Sequence, residues 1–112
     1  MDLRNNRIHE LPNEICSLAN LVELKLDYNF LQVLPQALNK LKKLKHLSAS
    51  QNSLKTIPQN AFLLEYSLEF LILNDNKIAS VPSKIGGLKK LKTLFLHNNL
   101  IVDVPSSMYH LK

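Results

Sequence analysis

Histidine is the residue type through which this sequence could perform acid–base or metal chemistry. The chain contains four histidines, which are His9, His46, His97 and His110. They fall in different units of the repeat described below, and at different positions within the unit. The "IGGL" at 85–88 is not followed by the Lys-Ser/Thr of a phosphate-binding loop, and no Gly-x-Ser-x-Gly motif occurs. We therefore expect a chain that is not an enzyme and that binds no cofactor or metal.

A repeat organises the chain. Proline recurs at intervals of 23, 23, 24 and 23 residues, and an asparagine stands six residues before each proline. The prolines are Pro12, Pro35, Pro58, Pro82 and Pro105, and the asparagines are Asn6, Asn29, Asn52, Asn76 and Asn99. The units run over 1–20, 21–43, 44–67, 68–90 and 91–112. This predicts a single domain, 1–112, of about five repeats.

Each position of the unit has a physical reason. Leu24 and Leu26 in "LVELKL" are two residues apart, so they share one face of a short strand. The other leucines turn inward as the chain coils, and stacking the coils buries them, with the strands parallel and about 4.8 Å apart. The asparagine stands where the chain leaves the strand. Its amide can pair with buried backbone groups of neighbouring loops, which predicts a ladder of stacked asparagines.

These units follow the pattern L-x-x-L-x-L-x-x-N-x-L-x-x-L-P, as in "LVELKLDYNFLQVLP", and the whole chain strongly resembles the leucine-rich repeat family. The resemblance implies an α/β fold, a right-handed solenoid or arc with a parallel concave sheet and short helical or 3-10 convex segments. The 23-residue period resembles the Ras-related intracellular class, which includes yeast adenylyl cyclase and Scribble-like scaffolds. That class implies a protein-interaction platform in signalling or polarity complexes.

One repeat departs from its neighbours. The stretch "IPQNAFLLEYSLEFL" is a residue longer and carries the "A-F" that is common in extracellular members of the family. Glu65 falls at a position where an inward leucine is expected, and a buried lone carboxylate would be costly. We expect Leu64 or Tyr66 to fill the position and Glu65 to turn outward.

The fold also bears on the histidines and on the single cysteine. His46 and His97 both face the concave side but stand two coils apart, roughly 10 Å at strand spacing. One zinc ion cannot bridge that distance directly, because its Zn–N bonds are about 2.0–2.1 Å. Cys16 lies in a convex segment, where we expect a partly buried, inert thiol.

The concave face is where members of the family bind their partners. Its side chains alternate with the core leucines, yet "LEFLILNDN" puts Phe70 and Ile72 there, and Phe95 of the next repeat stands beside Ile72. An exposed apolar cluster rimmed by polar groups is typical of an interface. The predicted partner-binding residues are Tyr28, His46, Phe70, Ile72, Asn74, Phe95 and His97.

The charge of the chain is +5 and is unevenly distributed. The stretches "KLKKLK" and "LKKLK" put Lys42, Lys43, Lys89 and Lys90 on one rim of the arc, called the basic rim below. This rim is a candidate surface for an acidic partner or an anionic lipid. Nucleic acid is not expected, since no aromatic residues are interleaved with the lysines.

Several features favour the cytoplasm, with a membrane-peripheral or nuclear location as alternatives. One cysteine cannot form an internal disulfide, the start "MDLRNNRIHELP" has no apolar signal region, and no apolar run is long enough to span a membrane. Met1 occupies the position of Leu24 in the next repeat, and Lys112 corresponds to Lys42. We therefore expect a fragment of a longer array.

These observations together predict a non-catalytic scaffold that binds a protein or peptide on its concave surface, in intracellular signalling. One alternative is a recruiting or regulatory segment of a larger signalling enzyme. Another is part of a receptor ectodomain.

Overall fold

The structure is a computed structural model that describes residues 1–102. Short strands alternate with short 3-10 helices along this part of the chain. The strands are β1 (Glu23–Lys25), β2 (His46–Ser48), β3 (Phe70–Ile72) and β4 (Thr93–Phe95). The 3-10 helices are η1 (Asn13–Ser17), η2 (Gln36–Lys40), η3 (Gln59–Leu63) and η4 (Ser83–Gly87). The helical turn predicted in "SSMYHLK", together with Pro105, His110 and Lys112, lies outside the described residues.

The four strands form one parallel sheet in the order in which they occur in the chain. The register places Leu24 beside Leu47, Leu47 beside Leu71, and Leu71 beside Leu94. Asp2 extends this arrangement through a parallel bridge to Lys25. Each strand therefore repeats the position of the one before it, which confirms the predicted solenoid with a parallel sheet and short 3-10 segments on its other side.

The core is a column of leucines stacked from coil to coil. Leu24, Leu47 and Leu71 are fully buried, as are Leu38 and Leu41 of the convex side. Each strand is only three residues long and could not hold together alone, so its stability comes from packing against the coils on either side.

A proline precedes each of the four 3-10 helices of residues 1–102. Proline suits this position because its fixed φ favours the start of a helical turn and because the first N–H groups of a helix have no partner inside it. Each of these helices is followed by a leucine whose backbone N–H donates to a carbonyl three residues earlier; Leu18 and Leu41 are examples. These leucines turn the chain back toward the sheet.

The repeated asparagines bond to the backbone of adjacent coils. The Asn29 amide donates to the carbonyl oxygens of Leu3 at 3.0 Å and Leu26 at 2.9 Å. Its Oδ1 accepts from the backbone N–H of Asn6 at 3.0 Å and Ile8 at 2.9 Å. The same amide contacts recur at the other coils, with each side chain joining its own loop to the preceding one.

The residue immediately before each ladder asparagine has a left-handed backbone conformation, with φ between 56° and 61°. These residues are Asn5, Tyr28, Gln51, Asp75 and Asn98. Asparagine and aspartate tolerate this region, whereas tyrosine and glutamine adopt it at a cost. The sequence analysis did not identify this position, because the residue type varies from repeat to repeat.

The longer repeat accommodates its extra residue as expected. Leu64 is almost completely buried and occupies the core position, while Tyr66 is exposed. Glu65 is half-buried rather than enclosed. The chain thus keeps its carboxylate out of the core by placing the neighbouring leucine there.

Candidate partner-binding surface

The sheet brings three large apolar side chains together on its outer face. The register pairs Ile72 with Phe95 on the adjacent strand, and Phe70 lies two residues before Ile72 on β3. Phe95 is 47% exposed, and Phe70 and Ile72 are half-buried. We call Phe70, Ile72 and Phe95 the apolar cluster. It remains accessible to a partner, because no other described element covers it.

Two histidines flank the apolar cluster. The imidazole of His46 lies against the ring of Phe70 with 5.7 Å between centroids, in a tilted arrangement. The imidazole of His97 meets Phe95 edge-on at 5.8 Å. Aromatic pairs favour such tilted and edge-on arrangements, with ring centroids about 4.5–7 Å apart. The structure therefore holds the predicted residues His46, Phe70, Ile72, Phe95 and His97 in one patch.

Asn74 borders this patch but is already engaged. Its side-chain amide donates to Asp75 Oδ2 at 2.6 Å, and Asn98 of the next repeat donates to Asp75 Oδ1 at 3.0 Å. The hydrogen bond from Asn74 is the largest cause of the lowered pKa of Asp75, and the Asn98 bond and the nearby His97 act in the same direction. A partner would meet a fixed carboxylate at this edge rather than a free amide.

Tyr28 lies apart from the rest of the predicted site. Its side chain is 57% exposed, but it follows β1, three strands away from Phe95 on β4. At strand spacing that separation is about 14 Å. Tyr28 can therefore contact the same ligand only if that ligand extends across the sheet.

A polar network crosses the sheet between Tyr28 and the apolar cluster. Asp27 accepts hydrogen bonds from the Ser48 hydroxyl at 2.8 Å and from both the backbone N–H and hydroxyl of Ser50 at 2.7 Å. The sequence analysis did not anticipate this network, and only the spacing of acidic and hydroxyl residues on adjacent strands could have suggested it. Asp27 thus ties two coils together.

The first two coils present charged groups on the same face. Arg4 forms an ion pair with Asp2 at 2.7 Å, and Glu23 lies 3.5 Å from Lys25. The hydrogen bond from the Arg4 side chain, assisted by its backbone N–H, lowers the pKa of Asp2 to about 2. The concave surface is therefore polar at one end and apolar at the other.

The basic rim is exposed throughout, at Lys42, Lys43, Lys89 and Lys90. Lys43 donates to Asn20 Oδ1 at 3.1 Å. Lys92 lies beside these residues and forms an ion pair with Glu69 at 2.9 Å. The hydrogen bond from Lys92 within this pair is the main cause of the lowered pKa of Glu69, and the charges of Lys92, Lys45 and Lys90 lower it further.

The chemistry of the other candidate residues is limited. Within residues 1–102, no group of three or more His, Cys, Asp or Glu side chains is placed to hold a metal ion. Cys16 is buried, and burial raises the pKa of its thiol, which disfavours the reactive thiolate. None of the helices in this part of the chain has the length and apolar character to span a bilayer.

Comparison with known protein families gives matches along most of the chain. The family described as "Leucine rich repeat" matches residues 1–54 and 19–78. The family described as "Leucine Rich repeats (2 copies)" matches residues 66–107. Domains with this fold are typically non-enzymatic modules of protein–protein interaction.

Individual proteins show the same likeness. Leucine-rich repeat and calponin homology domain-containing protein 1 of Mus musculus is 41% identical over 90 residues, covering 80% of this chain and 12% of that protein. A leucine-rich repeat protein of Leptospira interrogans superposes with a TM-score of 0.92 at 40% identity, covering 97% of this chain and 28% of the other.

A receptor is also similar in structure. The ectodomain of the plant membrane receptor kinase GASSHO1/SCHENGEN3 from Arabidopsis thaliana, solved in complex with CASPARIAN STRIP INTEGRITY FACTOR 2, gives a TM-score of 0.83 at 40% identity. The match covers 93% of this chain and 13% of the receptor chain. The present chain thus spans a small part of the proteins that it matches. The family matches, the parallel sheet and the asparagine contacts together show that the chain belongs to the leucine-rich repeat family.

Proposed function

We propose that this chain is a non-catalytic module that binds a protein or peptide on its concave surface, within a cytoplasmic signalling assembly. The observation that carries the proposal is the apolar cluster, formed by Phe70, Ile72 and Phe95 on two adjacent strands. Polar side chains at these positions would interact better with water in the free protein. Burial against a partner would explain why Phe70, Ile72 and Phe95 are apolar.

The apolar cluster has the properties of residues that dominate the affinity of an interface. Two aromatic rings are held by neighbouring imidazoles, so they lose little freedom when a partner covers them. Aromatic anchors at the centre of an interface commonly dominate its affinity, and truncation of one costs about 2 kcal/mol or more. The charged groups at Glu23 and Lys25 would instead affect the association rate and its dependence on salt.

The basic rim belongs to the same proposal as a surface for an acidic partner or an anionic lipid. Its lysines are exposed, and the net charge of the chain is +5. Such a surface attracts polyanions at a rate that falls with ionic strength. It is compatible with a cytoplasmic, membrane-peripheral or nuclear location.

The test is to isolate a partner by affinity capture and to measure its affinity calorimetrically for the unchanged chain and for Phe70→Ala with Phe95→Ala. We expect the double variant to weaken binding by about 30-fold if only one anchor costs about 2 kcal/mol on truncation, and by up to about 800-fold if the two losses add. The fold should survive, since both side chains lie on the outer face of the sheet.

Val33→Ala with Leu63→Ala is the matched control, because both side chains are exposed apolar groups, 58% and 56% exposed, away from the sheet. Lys89→Ala with Lys90→Ala provides a second comparison. Loss of binding in either of these variants, with full binding in the aromatic variant, would place the site elsewhere and contradict the proposal.

A second candidate function is part of a receptor ectodomain, favoured by the similarity to the GASSHO1/SCHENGEN3 ectodomain. The full-length reading frame would distinguish the receptor ectodomain from an intracellular signalling protein. A signal peptide and cysteine-containing caps would support the receptor, and a flanking catalytic domain would support a segment of a signalling enzyme.

A further inference from the structure

The basic rim is interrupted at one coil, which carries Tyr66 and Ser67 at the positions where the coils on either side carry lysines. Across the rim, three columns of residues run from coil to coil, and in each column the middle coil differs from the two beside it. The columns are Lys42–Tyr66–Lys89, Lys43–Ser67–Lys90 and Lys45–Glu69–Lys92. The middle coil therefore puts a short serine and an aromatic ring between two rows of long cationic side chains.

This interruption forms a groove of about 410 Å³. Its lining includes Lys42, Lys43, Lys45, Tyr66, Ser67 and Lys90. Ser67 is half-buried, and its small side chain leaves space where the coils on either side carry Lys43 and Lys90. At strand spacing, residues two coils apart are about 10 Å from each other, so the ends of two lysines can both reach an anion placed between them.

The groove carries an excess of positive charge. Glu69 contributes the carboxylate group in the lining of the groove, and that group forms an ion pair with Lys92 at 2.9 Å. Among the described residues, no carboxylate forms an ion pair with Lys42, Lys43 or Lys90. The pKa of Glu69 is lowered mainly by the hydrogen bond from Lys92, and the charges of Lys45 and Lys90 lower it further. The groove therefore favours an anionic occupant.

The groove also borders the apolar cluster, because Glu69 of its lining directly precedes Phe70 in the chain. The carbonyl oxygen of Lys45 accepts hydrogen bonds from the backbone N–H groups of Glu69 and Phe70, both at 2.9 Å. Lys45 is followed directly by His46, whose ring lies against Phe70. A chain leaving the apolar cluster at Phe70 would pass Glu69 and enter the groove. An extended peptide could follow this path from the apolar cluster into the groove, whereas a flat membrane surface could not.

We propose that the groove between Lys43 and Lys90 binds a run of Asp and Glu residues in the same partner that covers the apolar cluster. The inference rests on the proposed function, since it makes the groove an extension of that binding surface. Lysine suits this role as a flexible point charge that follows a mobile carboxylate. The contribution of each exposed pair is small and decreases with salt.

The test uses a fluorescein-labelled peptide of alternating Glu and Gly, with a Gln and Gly peptide as the neutral control, followed by fluorescence anisotropy at low salt. The groove variant is Lys43→Gln with Lys90→Gln. Its matched control is Lys55→Gln with Lys77→Gln, which removes the same charge from exposed positions in the loops that follow the strands. Tyr66→Ala removes a wall of the groove without changing its charge.

We expect the groove variant to bind the Glu peptide about five- to tenfold more weakly and the control variant to change by less than about twofold. Tyr66→Ala should weaken binding, and the Gln peptide should not bind. Equal losses of affinity for the Glu peptide in the groove and control variants would show that the peptide is attracted to the positive charge of the whole surface. That result would overturn the inference. Binding to vesicles containing phosphatidylserine, lost in the groove variant, without binding to the Glu peptide, would assign the rim to a membrane and also overturn it.

Phe70→Ala with Phe95→Ala separates the two proposals, because the Glu peptide has no apolar residue to contact the apolar cluster. Its affinity should be unchanged in this variant. If the peptide binds in the groove while an isolated partner binds the Phe70→Ala with Phe95→Ala variant as tightly as the unchanged chain, the proposed concave site is wrong and the groove stands as an acidic-segment site. If the partner needs the aromatic residues but the peptide fails to bind, only the groove inference fails.

Discussion

A single asparagine side chain serves several backbone groups at each turn of this solenoid. The Asn52 amide donates to the carbonyl oxygens of Leu26, Ala49 and Ser50 at 3.0–3.1 Å, and its Oδ1 accepts from the N–H of Leu31 at 3.0 Å. Two of these contacts reach the preceding coil. An amide is well suited because it combines donors and an acceptor in one short, planar group.

Asn52→Ala should lower the free energy of unfolding by about 1–3 kcal/mol, because backbone groups near the core would be left without partners. Asn52→Asp is informative as well, since a carboxylate keeps the acceptor for Leu31 but cannot donate to the three carbonyls. It should also destabilise the chain. Chemical denaturation measures both effects.

Asn20→Ala is the control for this experiment, because the Asn20 side chain is exposed and, within residues 1–102, its hydrogen bond comes from the surface residue Lys43. It should change stability by no more than about 0.5 kcal/mol. If Asn52→Ala is as mild as Asn20→Ala, the asparagine ladder does not stabilise the fold.

Among the elements, the three coils 21–43, 44–67 and 68–90 are each built from a three-residue strand, a sharp turn and a five-residue 3-10 helix. The turn requires one residue with positive φ just before the ladder asparagine. Coils with Asn or Asp at that place meet the requirement easily, whereas Tyr28 and Gln51 carry side chains that rarely adopt it. Their strain is tolerated because stacked strands and ladder bonds hold the backbone on both sides.

Gln51→Asn should therefore stabilise the chain, by a few tenths of a kcal/mol up to about 1 kcal/mol, since asparagine adopts the left-handed region at lower cost. Gln51→Val should destabilise it by about 1 kcal/mol or more, because a β-branched side chain fits this region poorly. Gln51 is exposed, so neither change removes core packing. Thermal and chemical unfolding of both variants would test the prediction, and an unfavourable effect of Asn would contradict it.

At the scale of the whole molecule, stability is shared between neighbouring coils. Leu71 is fully buried between Leu47 on one side and Leu94 on the other. Leu94 is half-buried and has one strand neighbour among the described residues. In a solenoid, the free energy of folding is close to a sum of terms for each coil and each interface between coils.

Leu71→Ala should thus cost about 2–5 kcal/mol, the usual range for a buried leucine, whereas Leu94→Ala should cost about half as much or less. Denaturant unfolding gives the two values. Amide hydrogen exchange provides an independent readout, in which protection should be strongest in β2 and β3. Equal costs for the two substitutions would argue against a nearest-neighbour description of this chain.

Much of the fold follows from features that recur in every coil. The spacing of Leu24 and Leu26 predicts a strand, and Pro35 predicts the start of a convex segment. Both are recognisable because each coil has the same structural requirements, so the same residue types recur at the same positions of the repeat. The same regularity makes exceptions visible: Phe70, Ile72 and Phe95 stand out because neighbouring repeats carry polar groups at those positions. Their role in binding stays a prediction, as do the repeat boundaries and the 23-residue intracellular class.

The coil, its inward residues and the face of the apolar cluster are predictable from the sequence alone, since they depend on positions within one repeat. Which groups from different coils meet depends on how the coils stack in three dimensions. The bonds from Ser48 and Ser50 to Asp27 and the groove at Ser67 both arise from stacking. Such contacts join residues more than twenty positions apart whose types vary between repeats, so no pattern within a single repeat indicates them.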